Sequence, residues 1–175
     1  MSGSGRKQAN SLALAFKESD FSAIYSSPLK RALDTAQAIA NYHNLQVHVE
    51  SDLRELEVGE LEGVSLNNLN NDFSNFLIKW HQGQGAEKLP GGESLADLRN
   101  RAWSTAQRIA SEHEGTVVLV SHYFTILNII CAALGLPLSY IRRLRIQVSS
   151  VSILDFGDRH PLLVSLGNTC HLRED

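Results

Sequence analysis

At 175 residues, 43% of them hydrophobic and 20% charged, the chain is long enough to bury one core and too apolar to be disordered. A formal net charge of −3 argues against a surface built for nucleic acid. Two cysteines, Cys131 and Cys170, give neither a disulfide framework nor metal-ligand spacing, so one domain spanning 1–175 in a reducing, cytoplasmic setting is expected.

In chain order, Met1 to Gly5 carries no apolar signal core. Ala9, Leu12, Ala13 and Phe16 then share a helical face behind Ser4 as N-cap. Phe21 to Ser26 reads as a short buried strand, and Ser27-Pro28 supplies an N-cap residue followed by proline at the first helical position. That helix carries Leu29, Ala32, Leu33, Ala36, Ile39 and Ala40 on one side, and Val47 to Glu50 alternates as a second strand. Leu53 to Gly63 is acidic and turn-like. Leu66, Leu69, Phe73, Phe76, Leu77 and Trp80 fall at helical spacing in an Asn-rich insertion ended by Pro90-Gly91-Gly92. Ser94 and Asp97 set up a capping box for a helix with Leu98, Ala102, Ala106, Ile109 and Ala110 inward.

Thr116 to Val120 is a β-branched run of the kind found in strands buried on both faces. After Ser121-His122 comes a nearly all-apolar helix to Leu134, stopped by Gly135 and Pro137. The apolar stretch from Phe124 to Leu138 is broken by Thr125 and Asn128 and is too short to span a bilayer, so no membrane partner is expected. Val148 to Phe156 and Leu162 to Leu166 read as a hairpin around Gly157-Asp158. The sum is an α/β three-layer sandwich with a mainly parallel sheet.

Ligands of open α/β sheets bind beyond the carboxyl ends of the strands. Arg31, in the first turn after one such end, leans back toward it beside free backbone N–H groups, which suits a phosphate, although an isolated arginine on an amphipathic helix is more often a plain surface residue. His122 follows the buried run and can carry charge or a proton; a core histidine bonded to a carbonyl is the equal alternative. Among Glu55, Glu57, Glu60 and Glu62, one carboxyl could act as general acid beside a bound phosphate, although four acids in a loop are more often a solvated face and periodicity does not choose among them. The other six histidines, His43, His48, His81, His113, His160 and His171, fall at helix ends, an edge strand or loops. No Walker-type loop, G-x-G-x-x-G, H-E-x-x-H or G-x-S-x-G occurs, which favours a site without cofactor or metal.

Taken in order, Tyr25-Ser26-Ser27-Pro28-Leu29-Lys30-Arg31-Ala32, Leu53-Arg54-Glu55 with Gly59 and Glu62-Gly63, Pro90-Gly91-Gly92-Glu93-Ser94 and Val120-Ser121-His122 closely resemble the histidine phosphatase superfamily, in its phosphoglycerate-mutase-like branch. The likeness covers nearly the whole chain. It implies transfer of a phosphoryl group from a small phosphomonoester to a histidine and then to water or another hydroxyl. In these terms Arg31 clamps the phosphate, Glu55 protonates the leaving group and His122 stabilises charge on the phosphoryl oxygens. Ser27 and Tyr123 lie against the substrate, and an insertion at about 64–90 forms a cap over the pocket.

Members of this family begin with a strand ending in Arg-His-Gly, whose histidine is the nucleophile, and no Arg-His-Gly occurs here. The expectation is a chain truncated at its N-terminus, lacking that central strand between the 116–120 strand and the hairpin. It should show very low phosphatase activity and weak phosphate binding. The gap would leave an open sheet edge available for self-association. The competing expectation is a catalytically inactive phosphate-binding or regulatory protein.

Overall fold

The computed structural model of the chain describes residues 1–64, 87–157 and 160–172. The expected helix at residues 66–80, and with it nearly all of the cap, falls outside these residues.

Helix α1 spans Gly3–Ala15. Its N-cap is Ser2, whose Oγ accepts from the Gly5 N–H at 3.0 Å, so Ser4 lies inside the first turn instead of capping it. Strand β1 spans Ala23–Ser26 and helix α2 spans Lys30–His43. Here too the expected cap moves: Leu29 is the N-cap, with no side-chain cap bond, and Ser27 Oγ, which meets His122 Nε2, accepts only the Leu29 N–H at 3.3 Å ahead of the helix. Strand β2 (Val47–Val49) is followed by two short 3-10 turns, at Ser51–Leu53 and Gly59–Leu61. Helix α3 spans Leu95–Glu112 and opens with the capping box expected of Ser94 and Asp97. Strand β3 (Val117–Val120) leads into helix α4 (Tyr123–Ala133), which Gly135 closes at φ +63°. Strands β4 (Val151–Asp155) and β5 (Leu162–Asn168) form the expected antiparallel hairpin.

The three strands β2-β1-β3 pair in parallel, with Ile24 opposite Val47 on one side and Val118 on the other. Side chains alternate across this sheet, as the two-residue strand period requires. Ile24, Val118 and Val120 face Leu12 and Ala13 of α1 and Ala36, Ile39 and Ala40 of α2. Tyr25 and Leu119 face a second core made by Leu53, Leu98, Ala102 and Ala106 with Leu127 of α4. Helices therefore cover both faces of the parallel sheet, and the α/β sandwich stands.

One expectation about the sheet fails. The run ending at Val120 was expected to be buried on both faces, yet all four residues of β3 are only half-buried. The physical reason is its place in the order. Among the described residues β3 pairs with β1 alone, and the β4–β5 hairpin forms a separate two-stranded sheet.

Candidate active site

Parallel pairing brings the carboxyl ends of β1 and β3 to one edge, with Ser26 in register with Val120. The chain then leaves each strand through a short polar link into a helix. From β1 it passes Ser27 into α2, and from β3 it passes Ser121 and His122 into α4. The two links are tied together. The Ser27 N–H donates to the Val120 carbonyl at 3.0 Å, and His122 Nε2 lies 2.7 Å from Ser27 Oγ in a buried hydrogen bond. Ser27 is fully buried and His122 is 7% exposed.

Burial first, and then the positive charges of Arg31 and Arg101, hold the His122 imidazole down to about 4, so the ring is neutral at pH 7. Arg31 itself is exposed, in the first turn of α2. It makes no ion pair with a carboxylate among the described residues, whereas its neighbour Lys30 is paired with Asp34 at 3.2 Å. The sequence thus placed Arg31 and His122 correctly at the ends of neighbouring strands.

Glu55 reaches the same edge from the segment after the 3-10 turn at Ser51–Leu53. Its carboxylate accepts from the Leu56 N–H at 2.8 Å and from the Phe124 N–H at 3.3 Å, with Thr125 Oγ 3.5 Å away. One oxygen therefore sits on the N-terminus of α4, where the unpaired N–H groups and the helix dipole favour negative charge. Of the four acids in the loop, this one contacts the first turn of α4, the helix that His122 caps. Glu57 turns its backbone to Glu93, and Glu60 follows Gly59 into the second 3-10 turn.

Tyr123 begins α4 and is 41% exposed, its ring edge-on to that of Phe124 at 5.2 Å. Three of the remaining histidines have ordinary partners away from this edge. His113 Nε2 lies 3.0 Å from the Tyr25 hydroxyl, His48 stacks on the Tyr25 ring at 5.0 Å, and His171 Nε2 meets the Ser149 carbonyl at 2.8 Å.

Residues that sequence reasoning did not single out hold the Glu55 segment in place. Arg101 of α3 donates to the carbonyls of Asp52 at 2.6 Å, Arg54 at 2.9 Å and Glu55 at 3.1 Å. Ser121 Oγ donates to the Leu53 carbonyl at 2.7 Å, and Thr125 Oγ donates to that of Arg54 at 2.7 Å. Four consecutive carbonyls without a sheet or long-helix partner are thus satisfied by side chains. The available signal was a charged residue beside the buried stripe of Leu98 and Ala102.

The arrangement sets an arginine, a neutral imidazole and a carboxylate at two helix N-termini. A profile of the histidine phosphatase superfamily (branch 1) matches residues 1–169, and the chain belongs to that superfamily. Phosphoserine phosphatase 1 of Hydrogenobacter thermophilus is 33% identical over 171 residues, covering 97% of this chain and 81% of the relative. A probable phosphoglycerate mutase of Escherichia coli is 31% identical over 155 residues, covering 88% of this chain and 72% of the relative. Among solved structures, a mutant phosphoserine phosphatase of Entamoeba histolytica in complex with phosphoserine superimposes with a TM-score of 0.88 at 30% identity, covering 99% of this chain and 86% of that one. A mycobacterial glucosyl-3-phosphoglycerate phosphatase gives a TM-score of 0.84 at 29% identity, covering 97% and 87%. The homologues are phosphatases and mutase-like enzymes, and the chain is of that histidine-type enzyme class.

Proposed function

We propose that this site binds the phosphoryl group of a small phosphomonoester, with Arg31 as its clamp, His122 against its oxygens and Glu55 as proton donor to the leaving oxygen. The observation that carries the reading is the meeting of His122 and Glu55 at the N-terminus of α4, within the field of the Arg31 guanidinium. Ser27 fixes the imidazole through its 2.7 Å hydrogen bond and so bears on the substrate through His122. Tyr123, at the exposed start of α4, flanks the phosphate with its backbone and the leaving group with its ring.

The charge logic is consistent with a dianionic ligand. A phosphate entering beside His122 favours the imidazolium, and its charge opposes the depression that burial and two arginines impose. Phosphoserine and 3-phosphoglyceric acid appear in complexes of the Entamoeba relative, which supports small phosphorylated carboxylic acids as the substrate class. No metal or cofactor enters this scheme.

Hydrolysis through a phosphohistidine needs a nucleophile in line with the leaving oxygen. His122 is committed to Ser27, and the sequence holds no Arg-His-Gly. Turnover by this chain alone is therefore expected to be very low, while phosphate still binds. Hydrolysis of p-nitrophenyl phosphate by the purified chain, with His122→Ala as control, tests this. Activity lost in the variant would show that another group serves as nucleophile and would overturn the low-turnover claim. Equal, negligible rates with phosphate bound are the expected result; they fit a second reading equally, a phosphate-binding or regulatory protein, and supplying an N-terminal strand ending in Arg-His-Gly would separate the two by whether hydrolysis appears.

The same architecture supports self-association. The half-buried outer edge of β3 presents backbone donors and acceptors that a second copy can pair with by strand addition. Sedimentation should then show a dimer that a proline at Leu119 weakens; a monomer at every concentration would rule the association out.

A further inference from the structure

We infer that Arg101, locked by Glu93, is a positioning residue that sets where the Glu55 carboxylate lies relative to His122; this rests on the reading of Glu55 and His122 given above. Arg101 and Glu93 form a two-point pair, Nη2 to Oε1 at 2.5 Å and Nε to Oε2 at 3.1 Å, with side chains 17% and 14% exposed. The guanidinium has donors left over after that pair, and all of them go to the carbonyls of Asp52, Arg54 and Glu55. Glu93 is fixed in turn, because it also accepts the Glu57 N–H at 3.0 Å while its own N–H donates to the Glu57 carbonyl at 3.0 Å.

One planar fork therefore registers the acid loop against α3 from both ends, at Asp52–Glu55 and at Glu57. A lysine cannot reproduce this, since its single ammonium lacks the rigid, divergent geometry of guanidinium. The consequence reaches Glu55 through the backbone. With its carbonyl held by Arg101, the residue's side chain is left to reach Phe124 and Thr125 on α4. Arg101 also adds positive charge near His122, after burial and Arg31. The same guanidinium thus acts on both partners of the site without being placed against the ligand.

The Phe124 amide is the reporter. At pH 7, Glu55→Gln removes the carboxylate from this N–H, and the amide proton should move upfield. In an Arg101→Lys background the same Glu55→Gln change should lose most of that move, because the carboxylate no longer rests on α4. A Glu93→Gln background, which weakens the lock but keeps Arg101, should lose part of it and serves if Arg101→Lys does not fold. The full Phe124 move in whichever background folds would overturn the inference, even if its melting temperature fell, since that outcome is a purely structural role. The underlying reading fails separately. If Glu55 does not lie beside the ligand, Glu55→Gln leaves the affinity for inorganic phosphate unchanged, whereas removing a neighbouring negative charge should otherwise tighten it.

Discussion

Arg31→Ala is expected to weaken binding of inorganic phosphate by on the order of 100-fold, the effect of losing a charge-assisted, two-point contact to an anion. Lys30 cannot substitute, because it is one residue further round the helix and already faces Asp34. Titration calorimetry of the variant against the parent chain checks this, and an affinity within a few-fold of the parent would remove Arg31 from the phosphate site. The same variant has a second readout. Without the Arg31 charge the His122 imidazole should titrate above its present value of about 4, though still below the ordinary 6.5 because burial is the larger cause.

The stability consequence has a definite sign. Between about 4 and 6.5 the unfolded chain binds a proton at His122 that the folded chain does not, so stability falls as pH drops through that window. The whole effect amounts to about 3 kcal/mol for the parent chain and less for Arg31→Ala. Urea denaturation at pH 7 and at pH 4.5 should show the smaller acid loss in the variant.

The second large effect is expected at Gly59. Its φ of +55° is one that a side chain disfavours, and a Cβ there would lie 2.2 Å from the Pro90 carbonyl oxygen and 2.3 Å from the Gly91 carbonyl carbon. These are backbone atoms, so the clash cannot be relieved by a rotamer change. Gly59→Ala should cost more than about 4 kcal/mol, in the range reserved for strain in a tightly packed backbone. Gly63→Ala is the matched control. Its φ is also positive, at +75°, but among the described residues nothing lies within 4 Å of the added carbon, so the conformational cost of about 1–2 kcal/mol is what applies. Comparable melting curves for the two variants would show that the approach of the 57–60 and 90–93 segments is not a structural requirement.

The parts of this structure that were legible in the sequence are those set by local pattern. The stripes of Leu98, Ala102, Ala106 and Ile109, the capping box of Ser94 and Asp97, and the strand-to-helix placements of Arg31 and His122 all follow from spacing along a few turns. What was not legible depends on contacts far apart in the chain. Ser27 has the form of an N-cap and does accept the Leu29 N–H, but its shorter bond is to a histidine 95 residues away. Arg101 looks like any polar position on α3 until carbonyls from 46 to 49 residues earlier fold against it. The choice of Glu55 among four loop acids rested on the family resemblance, and the contact with the α4 N-terminus is what distinguishes it physically.

The backbone approach at Gly59 has a consequence for how such a protein can diversify. The Glu60 N–H donates to the Pro90 carbonyl at 3.0 Å, and Glu57 and Glu93 exchange two backbone–side-chain and backbone–backbone bonds beside it. These bonds clasp the two stems that lead to and from residues 65–86. Whatever chain is strung between the stems starts and finishes at fixed points, and lengthening it adds closure entropy only logarithmically, about 0.6 kcal/mol per doubling. The intervening stretch can therefore be exchanged wholesale, while the clasp itself keeps its geometry.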